Sequence, residues 1–205
     1  MSIASYSELK TAIGNWLNRS DLTSYLPDFI MLGEKRIYRD LRIRAMETAL
    51  SSAISSGSIA LPTGYVELKY AYVDGSPTQF LQRRSAEQLY LEFPTRSSDG
   101  KPSVIVREGE TFIFGPYPDS NYTIKGIYYK KLDALSDSNT TNWFTSNAPD
   151  LLLFSALIEA EPFLGNDARL EMWEKKYQQK KAEIISEDDA ENLSGSAPRQ
   201  TVSYI

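Results

Sequence analysis

Residues 139–163 read NTTNWFTSNAPDLLLFSALIEAEPF, and the fold turns on how this stretch is interpreted. A polar, turn-rich approach stops at Pro149, and an apolar block of Leu151, Leu152, Leu153, Phe154, Ala156, Leu157, Ile158 and Ala160 follows at once. Proline suits the first turn of a helix, where its missing N–H would have no intrahelical partner. Asp150 adds a carboxylate near the positive end of the helix dipole. A helix apolar on nearly all sides is a buried one, so this segment predicts the axis of a helical core.

Upstream, Ser5-Tyr6-Ser7-Glu8 has the spacing of a capping box, and Leu9, Ile13, Trp16 and Leu17 continue at helical spacing. A second helix is predicted over 26–43, with Phe29, Ile30, Ile37 and Leu41 on its buried face and Lys35, Arg36, Arg39, Arg42 and Arg44 elsewhere. From Ser51 the texture changes. A Ser/Gly-rich break leads to Ile59–Leu61, then to the alternating, aromatic Tyr65–Val73, with Asp74-Gly75 as a hairpin turn and Gln79–Leu81 as a return. Ser85-Ala86-Glu87-Gln88 opens a short helix to about Phe93. Val104–Arg107 and Thr111–Phe114 flank a tight turn, and Tyr122–Lys131 is the last strand.

Downstream, Pro162 and Gly165-Asn166 predict a break, and Asp167 can cap a final helix that carries Leu170, Trp173, Tyr177 and Ile184 on one face. The acidic run 186–192 extends or frays that helix, and the Ser, Gly and Pro of 193–205 predict a tail without its own core. The organisation is α+β: a helical bundle from residues 1–50 and 139–192, an inserted, mostly antiparallel β unit at 51–138, and an extended C-terminal tail at 193–205.

Composition excludes much chemistry. The 205 residues contain no Cys and no His, which removes thiolate and imidazole catalysis and the commonest zinc ligands. Net charge is −5, with the acid excess concentrated in residues 159–192, so the chain lacks the basic balance of a duplex-binding module. No apolar run reaches the roughly 20 residues a membrane span needs, and the first residues, MSIASYSELK, carry no secretion signal. Any catalysis would rest on carboxylates, Lys, Tyr or a hard metal ion. Glu159 and Glu161 are the obvious pair, but residues two apart on a helix do not face each other. The plainer expectation is an ion pair to an arginine of the second helix. The run Glu187–Glu191 lacks the glycine and ligand spacing of a calcium loop. No cofactor or metal site is expected, and the basic segment reads as a charged face suited to protein rather than nucleic acid.

Six blocks in order, YSELKTAIGNWLNRSDL, LPDFIMLGEKRIYRDLRIRAME, LPTGYVELKYAYVDG, FGPYP, YYKKLDALSDSNTTNWFTSNAPDLLLFSALIEAEPFL and WEKKY, resemble the head–tail adaptor (connector) proteins of tailed bacteriophages. The resemblance implies a structural virion protein, made in the host bacterial cytoplasm and placed at the neck. There it would form a ring of twelve beneath the portal protein, extend the DNA channel without sequence-specific binding, and dock a tail tube, nozzle or other tail protein. It implies no enzyme and no membrane contact. Candidate partner-binding residues are Arg36, Arg39, Arg42 and Arg44 on the basic segment and Pro198, Arg199, Val202, Tyr204 and Ile205 in the tail. Two other readings stand beside it: another ring or collar protein of the phage tail, such as a terminator or completion protein, and a carboxylate-based hydrolase.

Overall fold

A computed structural model describes residues 3–54, 57–94, 99–165 and 169–193. In chain order its helices are α1 (Tyr6–Leu17), α2 (Leu26–Asp40), α3 (Ala86–Glu92), α4 (Trp143–Asn147), α5 (Pro149–Leu164) and α6 (Leu170–Leu193). The strands are β1 (Glu47–Ile54), β2 (Ser58–Ala60), β3 (Tyr65–Val73), β4 (Gln79–Phe80), β5 (Gln82–Arg83), β6 (Asp99–Gly100), β7 (Val104–Glu108), β8 (Thr111–Gly115), β9 (Tyr117–Pro118) and β10 (Tyr122–Lys130). The fold is α+β, in two compact units: Met1–Ala45 with Leu132–Ile205, and Met46–Lys131.

In the helical unit α5 is the axis. Its residues Leu151 to Ile158 are all buried, and it packs against α1, α2, α4 and α6. Its approach to α2 is close, with Gly33 against the Ser155–Ala156 backbone. Ser5 Oγ accepts the Glu8 N–H, while Glu8 reaches one residue past the predicted partner to accept from Ala4 N at 2.7 Å. Helix α2 stops at Asp40, short of the predicted residue 43. Leu41 turns extended, and the Arg42 guanidinium donates to the Tyr38 carbonyl, which a longer helix would have used, and to the Leu41 carbonyl. Pro162 does not break α5, which runs on to Leu164 and ends at left-handed Gly165. The acidic 186–192 continues α6 to Leu193; Asp167 and residues 194–205 lie outside the described residues.

The β unit contains two four-stranded sheets, ordered β1-β10-β3-β4 and β2-β8-β7-β5, with β6 and β9 as a small parallel pair. Both sheets feed one core: Leu50, Ile54, Leu68, Val73, Ile124 and Tyr128 from the first, Ile59, Ile105, Phe112 and Phe114 from the second. Helix α3 covers the other face of the second sheet through Leu89, against Val104, Val106 and Ile113. Alternation places Tyr128 in the core while its neighbour Tyr129 is half-buried.

The unit boundaries fall a few residues from the sequence-based ones at 50/51 and 138/139. Residues 47–54 read as the end of a helical region and a serine-rich break, yet they form edge strand β1, because Leu50 and Ile54 alternate into the core while Ala49, Ser51 and Ala53 face out. The 132–138 stretch stays with the helices because Tyr38 Oη donates to the Leu132 carbonyl at 3.1 Å and the Leu135 N–H donates to Glu34. Helix α4 occupies what reads as plain turn, with Asn142 accepting from Phe144 N and Thr145 N as its cap.

Candidate functional surface of the helical unit

Four arginines of the basic segment were brought forward by sequence, and the structure gives three of them internal partners. Arg36 lies between three helices: its Nε donates to Glu159 of α5 at 2.8 Å and its Nη1 to Glu174 of α6 at 3.2 Å. Its guanidinium also sits 5.9 Å from the Tyr177 ring centroid. Arg42 caps the carbonyls at the end of α2. Arg44 pairs with Asp188 and Glu191 near the end of α6, and its own N–H donates to Asp188. Arg39 is exposed and has no partner among the described residues, and neither does Lys35. Pro198, Arg199, Val202, Tyr204 and Ile205 lie outside the described residues.

The acids that flank the basic segment in sequence are not the ones that neutralise it. Glu34 turns inward, only 4% exposed, where its carboxyl accepts from Leu135 N at 3.2 Å and from Asn142 Nδ2 at 3.2 Å. Burial pushes its pKa up to about 7, against the lowering effect of those two donors. Asp40 accepts from the Tyr177 hydroxyl and pairs with Lys181, and Glu47 pairs with Lys69 in the β unit. Burial and the Asp40 contact raise the Tyr177 phenol well above its ordinary range.

Glu159 and Glu161 diverge as their spacing requires. Glu159 takes Arg36 of the second helix, as the plainer expectation had it, while Glu161 is fully buried with Arg169 Nε 3.5 Å away. Two carboxylates held by two different arginines do not form a shared acid–base site. Among the described residues no group of three acids could hold a metal ion, and no helix is long and apolar enough to cross a membrane.

A groove of about 730 Å³ runs between α2, α5 and α6 and is lined by Arg36, Ile158, Glu159, Pro162, Leu170 and Glu174, among others. Its apolar lining is Ile158, Pro162 and Leu170, and of its polar groups Arg36, Glu159, Glu174 and Gln178 are engaged with one another. Sequence reasoning passed over the outward face of α2, where Met31 and Leu32 are 42% and 39% exposed. The signal was present: both fall opposite the predicted buried face, next to Lys35 and Arg39.

A family model described as the SU10 adaptor protein matches residues 4–201 of this chain. No curated protein matches it.

Proposed function

The chain belongs to the SU10 adaptor protein family, a family of phage head–tail adaptors, and from that premise we propose that it assembles as a dodecameric ring below the portal protein. There it extends the DNA channel and offers its far side to a tail tube, nozzle or other tail protein. The observation that carries this reading is the extent of the family match, 4–201, which takes in both units. The acidic balance of the chain suits a channel wall that lets DNA slide, since net phosphate neutralisation would grip it. The role is structural, with binding energy in place of catalysis. Arg39 and the tail residues Pro198, Arg199, Val202, Tyr204 and Ile205 are the proposed contacts to the portal and neighbouring proteins. A segment that cannot bury enough surface alone gains it by ordering on a partner.

Deleting 194–205 leaves α6 whole and separates folding from assembly. The truncated protein should keep its helical circular dichroism and its melting temperature within a few degrees, yet fail to join portal-containing heads. Completion of virions by the truncated protein would remove the tail from this role. Particle symmetry of the full chain on heads, read by electron microscopy, tests the ring itself.

A further inference from the structure

The edges of the two four-stranded sheets are unequal. Strands β4, β2 and β5 are edges of two, three and two residues, and so short an edge offers little to pair with. Strand β1 is the exception, an edge of eight residues that pairs with β10 in unbroken register. Every second residue of β1 turns its N–H and C=O away from β10. Among the described residues none of these groups finds another backbone partner. The usual safeguards are missing as well. ETALSSAI contains no Lys, Arg or Pro, no bulge interrupts it, and the small Ala49, Ser51 and Ala53 leave the approach clear. An open edge of this length recognises one chemistry, an extended peptide that continues the ladder.

The chain carries such a peptide at its own end. In Thr201-Val202-Ser203-Tyr204-Ile205 every residue but the serine is β-branched or aromatic. The segment also starts within reach of β1. Arg44, which holds Asp188 and Glu191 of α6, stands three residues before Glu47. One arginine–carboxylate pair and three residues of chain measure about 20 Å, and residues 194–200 extend to about 24 Å. We propose that residues 201–205 dock on the open edge of β1 in their own copy, as a fifth strand of the first sheet. Arriving at the Glu47 end, they run parallel to β1. Val202 and Tyr204 continue the core face beside Leu50, and Thr201 and Ser203 continue the solvent face beside Ala49 and Ser51. The contact belongs to the free chain and does not depend on the ring reading. A five-residue strand held on one side sits at the low-stability end of a fold, so a portal that takes up the tail can displace it.

The absence of cysteine gives a clean test. Ser203→Cys is combined with Ala49→Cys or with Ser51→Cys, and the dilute purified chain is oxidised. At least one pair should close a disulfide within the monomer, since neighbouring strands bring Cα atoms into bonding range. Hydrogen exchange read by NMR at alternate β1 amides should be at least tenfold faster in the chain ending at Leu193, and an excess of a peptide of residues 199–205 should restore protection. Val202→Asp with Tyr204→Asp should remove both cross-link and protection, while Thr201→Asp, on the solvent face, keeps them. Disulfide-linked dimers in place of closed monomers would mean that the edge takes a second copy, and would overturn docking of the chain's own tail. The absence of any cross-link, equal exchange in the full and shortened chains, or equal effects of the two aspartate sets would overturn it too. Assembly on heads is read separately, so a failed ring leaves this contact standing, and a failed contact leaves the ring.

Discussion

Arg36 and Glu159, 123 positions apart, share a hydrogen bond of 2.8 Å between α2 and α5. The bond explains why the most prominent basic segment of the chain is not mainly a free surface. Arg36 reaches a second carboxylate, Glu174, from another edge of the same planar guanidinium. It thereby ties three helices at one point.

Replacing Arg36 by Lys should show that geometry matters as well as charge. A single ammonium cannot present two fixed donor edges, so Arg36→Lys should lower stability by about 1 kcal/mol and Arg36→Ala by about 1–2 kcal/mol. These values are discounted because the three side chains remain 21–39% exposed. Urea midpoints measure both. A lysine variant as stable as the parent would reduce the cluster to plain charge pairing.

Gly33 should tolerate no side chain. A Cβ built there would sit 2.7 Å from Ser155 Oγ and 2.9 Å from the Ala156 nitrogen, the latter part of the rigid α5 backbone. Alanine's gain of nearly 1 kcal/mol in helix propensity opposes an overpacking cost of about 1–3 kcal/mol. We expect net destabilisation of Gly33→Ala with α2 forced away from α5, readable as a lower melting temperature and faster hydrogen exchange in both helices. An unchanged melting temperature would contradict this close approach.

Glu34 should give the protein a component of stability that declines with rising pH. Its pKa is about 7 in the folded chain, against an ordinary 4.5. Between those values the folded state holds a proton that the unfolded state has released. Stability from this group is therefore full below about pH 4.5 and is lost as pH rises through about 7, by up to roughly 3 kcal/mol. Glu34→Gln should flatten that part of the curve while other carboxylates keep their own slopes. Parallel pH–stability curves for the two proteins would show that the burial of Glu34 carries no titration. Hydrogen exchange at Leu135 is the local readout, since its N–H is held by this carboxyl.

Gly126 occupies the middle of β10, with β1 on one side and β3 on the other. A Cβ there would strike the Tyr70 carbonyl and lie 2.8 Å from the Ala71 Cα. Gly126→Ala should weaken the first sheet by about 2 kcal/mol or more. Proteolysis should then cut 46–131 more readily while the helical unit keeps its protection. Equal loss of protection in both units would mean that they unfold as one.

How much was legible depended on whether a signal was local. Apolar α5 with Pro149 at its head, the alternation of Tyr65–Val73 and the capping serines Ser5 and Ser85 each carry their information within a few residues, and each element starts where it was read to start. Strand β1 was hidden because its outward face is serine and alanine. Only pairing with β10 and burial of Leu50 and Ile54 make it a strand. Helix α2 ended early for a related reason: Arg42 takes the Tyr38 carbonyl that the pattern alone would leave to the helix.

By itself the sequence determined that a helical core surrounds the apolar segment after Pro149, that a β unit is inserted into it, and that imidazole and thiol chemistry are absent. Those conclusions follow from residue type and short-range periodicity, which act along the chain. Tertiary structure decided which charges are spent and which remain. Arg36 is neutralised by residues more than a hundred positions away, and Glu34, beside the basic segment in sequence, is turned into the interior. Lys35 and Arg39 keep their charge for the outside. Coulomb and hydrogen-bond energies depend on separation in space, and only the packing of α2 against α5 and α6 sets those separations.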